Sequence, residues 1–190
     1  MGKLKREFYS RDTLTVAREL LGKVLVRRLP DAVLAGRVVE TEAYRGAKDA
    51  AAHSYQNRRT SRTEVMFGPG GFAYVFLVYG MHFCMNVVTA QAGEPEAVLL
   101  RAVAPAERYG TLLQAGNGPG KLCRALSIDR SCYGLDLCGD ELYLLDDDFP
   151  EFSIGCTRRI NIDYAGAARE YPWRFFIKEN PHVSGGKQFR

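Results

Sequence analysis

The sequence predicts an α+β fold: a single domain, residues 1–190, in which a mixed, mostly antiparallel curved β-sheet is surrounded by helices and carries one protruding β-hairpin. Three observations predict it. Strand-like runs outnumber and then interleave with short helices, without the regular strand–helix–strand rhythm of a parallel sheet. Two apolar runs, 73–78 and 83–88, are separated only by Tyr79-Gly80-Met81-His82, which is hairpin spacing. Finally, 190 residues at 46% hydrophobic and 25% charged have ordinary globular composition and enough length for one core.

The elements follow in order. A first helix has Ser10 or Asp12 as its cap, Leu14, Ala17, Leu20 and Leu21 at helical spacing, and Gly22 as its stop. Strands are expected at Lys23–Arg27 and Leu34–Tyr44. The turn Gly68-Pro-Gly-Gly71 leads into the hairpin, with Tyr79 near its tip, and Ala97–Ala102 forms the next strand. Short helices are expected near 106–114 and 121–126, the second entered through Gly118-Pro-Gly-Lys121. Strands at Glu141–Leu145, Arg159–Ile162 and Trp173–Lys178 close the chain.

Five cysteines with no C-x-x-C pair read as reduced thiols, and no apolar run follows the basic opening residues. These features predict a protein that is not secreted, cytoplasmic in a bacterium or nuclear in a eukaryote. Residues 65–93 hold no Asp, Glu, Lys or Arg, yet Gly80, His82 and Asn86 interrupt their apolar part, so no membrane partner is expected. The net charge is +4. Residues 1–28 carry eight Lys/Arg against three acids, the loop 56–62 carries three arginines, and 136–151 carries seven acids and no base. That distribution suits a basic side and an acidic side approaching a polyanion, or simply solvated charged faces.

Three places could carry chemistry. In a strand, Val38, Glu40, Glu42 and Tyr44 share one face, while the smaller, more apolar Val39, Thr41 and Ala43 share the other. Two neighbouring carboxylates repel, so they are either paired to arginines or held for acid–base work beside the tyrosine. A hairpin tip of Tyr79, Met81 and His82, where Asn, Asp and Gly are usual, is a wedge for a base stack or a protein contact. His53 follows the carboxylate strand with no second ligand at metal spacing, so neither metal nor cofactor is predicted. Neither glycine turn matches a P-loop, although Gly120 and Lys121 could meet a backbone phosphate.

Taken together, Ala17–Arg27, Val39-Glu-Thr-Glu-Ala-Tyr44, Ala51-Ala-His-Ser54, Val78-Tyr-Gly-Met81, Phe83-Cys-Met-Asn86, Val98-Leu-Leu-Arg-Ala102, Gly118–Cys123 and Arg159-Ile-Asn-Ile162 resemble the alkyladenine (3-methyladenine) DNA glycosylase family over nearly the whole chain. The resemblance implies that Glu42 is the general base activating a water. It makes Arg101 and the backbone carbonyl of Ile162 the anchors of that water. Tyr44, His53 and Phe76 become the walls of a base pocket and Asn86 its floor. Tyr79, with Met81 beside it, becomes the intercalating wedge, and Arg58, Thr60, Arg62 and Lys121 become phosphate contacts. Phe76 stands where the family usually has tyrosine, and His82 where an aromatic residue is common.

The implied activity is that of a monofunctional enzyme, a monomer acting on double-stranded DNA with damaged purines. It would flip the alkylated or deaminated base out and hydrolyse its N-glycosidic bond, with a bell-shaped pH profile for neutral bases. No lysine in the carboxylate strand could form an imine. The rivals are a glycoside hydrolase using Glu40 and Glu42, and a nucleic-acid-binding module without turnover.

Overall fold

The computed structural model describes residues 2–185 of the chain; the expected domain limits reach beyond these. Ten strands form one sheet with few helices, an α+β arrangement in which every paired strand is antiparallel.

The chain enters through β1 (Gly2–Lys3), then α1 (Arg6–Tyr9) and α2 (Thr13–Glu19). Asp12 is the cap of α2, its carboxylate accepting from Thr15 N–H at 3.0 Å, while Ser10 closes α1. β2 (Val24–Leu29) turns back into β3 (Ala32–Tyr44), and the hairpin strands are β4 (Ala73–Val78) and β5 (His82–Thr89). β6 (Glu96–Pro105), β7 (Gly116–Asn117) and α3 (Pro119–Ala125) follow. β8 (Leu142–Asp146), β9 (Ile154–Thr157) and β10 (Arg174–Ile177) complete the sheet.

β3 is the spine. One edge pairs with β6 along most of its length; the other pairs first with β2 and then, over Glu40–Glu42, with β10. The β3–β6 register slips twice, with one extra residue at Val39 and one at Arg101. Such bulges re-aim side chains next to functional sites. Here the first breaks the expected alternation: Val38 joins Val39 in the main core instead of sharing a face with the glutamates. Thr41 faces α2, its hydroxyl donating to the Ala17 carbonyl at 2.8 Å.

Two expected elements are absent. Residues 106–114 are not helical, because Thr111 N–H bonds to the Val33 carbonyl and the Thr111 carbonyl accepts from Ala35 N–H. The segment spends its backbone groups on β3, and Gly110 lies too close to Val33 for any side chain. Residues 159–162 form no strand either; Asn161 sits at φ 58°, and the strand lies upstream as β9.

The two charged runs do not form separate faces, because they pair with each other. Lys3 meets Asp140, Arg6 meets Asp136 at 2.6 Å, Lys23 meets Asp146 at 2.6 Å, and Arg27 meets Glu141 at 2.5 Å. β1, β2 and β8 are neighbours in the sheet, so residues remote in sequence neutralise one another.

The β4–β5 hairpin closes through Met81 N–H to the Val78 carbonyl at 3.2 Å. Its central residues, Tyr79 at φ 52° and Gly80 at φ 67°, are both left-handed, and Tyr79 is 77% exposed. A bulky residue held there costs roughly 1 kcal/mol. Tyr79→Asn, which tolerates that conformation, is therefore expected to raise the unfolding free energy by about 0.5 kcal/mol. Thermal melts of the two proteins check this, and a lowered melting temperature would contradict it.

Candidate active site

The long strand β3 brings Glu40 and Glu42 to one surface, both fully buried. Glu42 Oε2 accepts from the Tyr44 hydroxyl at 2.8 Å, and Oε1 accepts from the backbone N–H of Ile160 at 2.8 Å. Arg101, placed by the bulge in β6, lies between the two acids: Nε donates to Glu40 Oε1 at 3.1 Å, and Nη1 is 3.4 Å from Glu42 Oε2. Burial disfavours the Arg101 cation, but Glu42 and Glu40 outweigh it and raise its pKa above the usual arginine value. Burial, followed by the nearby Glu42 charge, holds the Tyr44 phenol well above its normal range, so it stays protonated as a donor.

In front of this network opens a cavity of about 360 Å³, lined by Tyr44, His53, Phe76, Asn86, Arg101 and Ile162 among others. The expected pocket residues are thus brought together. Glu42 lies immediately behind the lining, covered by Tyr44, Arg101 and Ile160. Two packed groups make the walls: Tyr44 with Ala51, Ile162 and Ala165, and Phe76 with Met66 and Tyr74. Val78-Tyr79 and Tyr164 border the mouth. Met81, 70% exposed at the hairpin tip, lies outside the lining.

His53 and Phe76 meet edge to face, ring centroids 4.6 Å apart at 78°. His53 Nδ1 is 2.8 Å from the Tyr74 hydroxyl. Burial first, then the Arg62 and Arg58 charges, pushes the His53 imidazole down to about 4, so it is neutral near pH 7. Burial pushes the Tyr74 phenol up, and a protonated phenol can donate to Nδ1, which places the histidine's own proton on Nε2. Asn86 is fixed by its amide N–H to the Tyr74 carbonyl at 3.1 Å.

Arg58, Thr60 and Arg62 lie on an exposed loop beside the mouth, and Lys121 is exposed on α3. Arg58 and Arg62 have no carboxylate at salt-bridge distance among the described residues; Arg59 is held by Glu64. His82, the second family departure, packs against Gly120 with Nδ1 buried and without a hydrogen-bond partner among the described residues.

Several residues escaped the sequence reading. The Arg159 guanidinium pairs with buried Asp49 at 2.5 Å and lies 4.7 Å from the centre of the Tyr44 ring, backing a pocket wall. The backbone that meets Glu42 belongs to Ile160; the Ile162 carbonyl accepts from Ala165 N–H at 2.9 Å. Tyr74, two residues before Phe76, could have been found from strand periodicity, whereas Tyr164 had no signal. Among the described residues, no group of three His, Cys, Asp or Glu could hold a metal, and no helix is long and apolar enough to cross a membrane.

The cleft offers a carboxylate and a guanidinium behind aromatic walls, with exposed arginines outside. That is the equipment of a hydrolase working on a ring presented by a polyanion. The family model described as Methylpurine-DNA glycosylase (MPG) matches residues 7–181. The chain is 51% identical to a "Putative 3-methyladenine DNA glycosylase" of Desulfitobacterium hafniense, covering 97% of this chain and 99% of the relative. A protein of the same name from Anaeromyxobacter is 52% identical, covering 96% and 92%. The chain belongs to the methylpurine-DNA glycosylase family, and is therefore a DNA glycosylase, a hydrolase of N-glycosyl bonds.

The depressed His53 pKa has a stability consequence. The unfolded state, with histidine near 6.5, binds the proton more readily than the folded state at about 4, so stability falls as pH drops through that window. The loss at pH 4.5 is about 2 kcal/mol relative to pH 7. His53→Gln is expected to flatten this part of the denaturation-versus-pH curve; an unchanged slope would contradict it.

Proposed function

We propose that the protein excises damaged purines from double-stranded DNA by hydrolysis, using a water activated by Glu42. The observation that carries this reading is the buried Glu42–Arg101 pair set directly behind an aromatic cleft of about 360 Å³.

A stacked base cannot be attacked, so the nucleotide must swing into the cleft, and a damaged, weakly paired one does so at least cost. Tyr79, raised on its strained turn at the mouth, fills the gap left in the stack, and Met81 at the same tip lies against the duplex. Arg58, Thr60, Arg62 and Lys121 meet the phosphates; Arg58 and Arg62, with no carboxylate at salt-bridge distance among the described residues, supply cations for this, Arg62 from a position 5.8 Å from the centre of the Phe76 ring.

A purine alkylated at N3 or N7 is a cation. Tyr44, His53 and Phe76 offer it π-faces at ~0.5–2 kcal/mol per contact. A neutral His53 adds no repulsion to that attraction. Asn86, held by the Tyr74 carbonyl, screens exocyclic groups.

The bond from C1′ to the purine nitrogen breaks with its electron pair leaving on the base, and the sugar becomes oxocarbenium-like. Water adds to C1′ and passes its proton to an ionised Glu42, whose charge also stabilises the cation. Each Glu42 oxygen accepts one hydrogen bond from the protein, which leaves lone pairs for that water. Arg101 lines the cleft beside Glu42 and helps to orient it.

Glu40 speaks against the glycoside hydrolase alternative, which needs two free carboxylates: it is consumed by Arg101, Arg174 and Ser184. Among the described residues no lysine lines the cleft, which supports hydrolysis without an imine intermediate.

Glu42→Gln is expected to lower single-turnover excision of a methylated purine by ~10²-fold or more while leaving duplex affinity within about threefold. Turnover retained by this variant would contradict the assignment. Borohydride treatment during wild-type turnover should trap no covalent protein–DNA adduct; a trapped adduct would overturn the hydrolytic route.

A further inference from the structure

Glu40 is a buried carboxylate that the mechanism above does not use, and it accepts four hydrogen bonds, as many as Asp49 among the described residues. Its Oε1 accepts from Arg174 Nε at 2.6 Å, Ser184 Oγ at 2.8 Å and Arg101 Nε at 3.1 Å, and its Oε2 accepts from Ser184 N–H at 2.7 Å. These donors come from β10, from β6 and from the segment after β10. Four hydrogen bonds, two of them from guanidiniums, meet the acceptor capacity of this fully buried carboxylate and tie three separate segments to it.

What the arrangement does is seen at Arg101. Its Nε end is bonded to Glu40, and Nη2 is 3.5 Å from Ser184 Oγ. Its other end, Nη1, stops 3.4 Å from Glu42 Oε2, near enough to be felt as charge but without the geometry of a hydrogen bond. An unrestrained guanidinium beside a buried carboxylate closes to a bidentate pair near 2.8 Å, covering the lone pairs a general base needs.

We propose that Glu40 is a positioning residue for the hydrolytic step. It holds Arg101 by its Nε end, together with Ser184, and so keeps the guanidinium from closing on Glu42. The proposal rests on the reading of Glu42 as the base. The groups facing this pair are Arg101 from β6, Arg174 from β10, Tyr44 from β3, Cys84 from β5, and, from the segment between β9 and β10, Arg159, the Ile160 N–H and Tyr164. Glu40, Glu42, Arg101 and Arg174 sum to zero charge, so removing one member unbalances the set in a direction that can be read.

The test is single-turnover excision of a methylated purine at saturating enzyme, followed against pH, with rates taken per active molecule so that misfolded protein drops out. E40Q frees Arg101 to close on Glu42 and removes a negative charge. The maximal rate is expected to fall about ten- to hundredfold, with duplex affinity unchanged and the acid limb moved to lower pH. R174Q leaves Glu40 to draw Arg101 away and removes a positive charge, so its acid limb moves to higher pH. The charge-neutral E40Q/R174Q double variant returns the limb toward the wild-type position. R174Q gives the answer if E40Q yields no folded protein. If neither single variant folds, the rate of the double variant gives it, because Arg101 is still released from Glu40 there, so a ten- to hundredfold loss is expected and a wild-type rate would overturn the proposal. An E40Q protein with wild-type rate and limb, a rate loss with no movement of the limb, or limbs moving the same way in both single variants would overturn the proposal. A wild type that fails to release the methylated purine would instead overturn the reading of Glu42.

Discussion

The placement of Arg101 between two fully buried carboxylates governs the rest of the molecule. Taking a charge out of water costs several kcal/mol even after relaxation, and two acids on one strand face add repulsion. Such a pair survives only if cations are delivered from other strands. β6 delivers Arg101 through a bulge, β10 delivers Arg174 opposite Glu42, and the segment after β9 folds back to give the Ile160 N–H. The sheet order around β3 meets this electrostatic requirement as well as forming a hydrophobic core.

The cleft follows from the same framework. The residues that satisfy Glu42, namely Tyr44, Arg101 and Ile160, are also lining residues, so the polar network and the pocket share one wall. Arg159, paired with Asp49, backs Tyr44 and fixes the ring from behind. Around this rigid centre the parts that would meet a polyanion are exposed: the tight hairpin tip and the loop of Arg58 and Arg62. Rigid chemistry and exposed recognition are separated in space.

Much of this was legible in the sequence because it depends on short-range patterns. The 73–78 strand was read to the residue, and β3, β6 and α3 to within a few residues, since alternation and glycine punctuation mark them directly. The pocket residues were recognisable from motifs that hold their spacing. What failed was set by distant partners. Residues 106–114 gave up helical bonds to pair with β3, and 159–162 left the sheet because Ile160 N–H and the Arg159 side chain serve Glu42 and Asp49. The basic and acidic runs read as two faces until the sheet order set them side by side. No local pattern announces Arg174 or Ser184 as partners of Glu40, because each lies more than 130 residues from it.

In the proposed mechanism the charge of Glu42 is brought to bear on a sugar carbon that becomes positive as the base departs. The most direct measurement is the affinity of the protein for two duplexes that cannot react, one with a cationic 1-aza-sugar at the abasic position and one with a neutral tetrahydrofuran. The wild type is predicted to bind the cationic duplex at least ~10-fold more tightly, and replacing the Glu42 carboxylate with an amide to erase that preference. Equal affinity of the wild type for both duplexes, or a preference that survives the replacement, would contradict it.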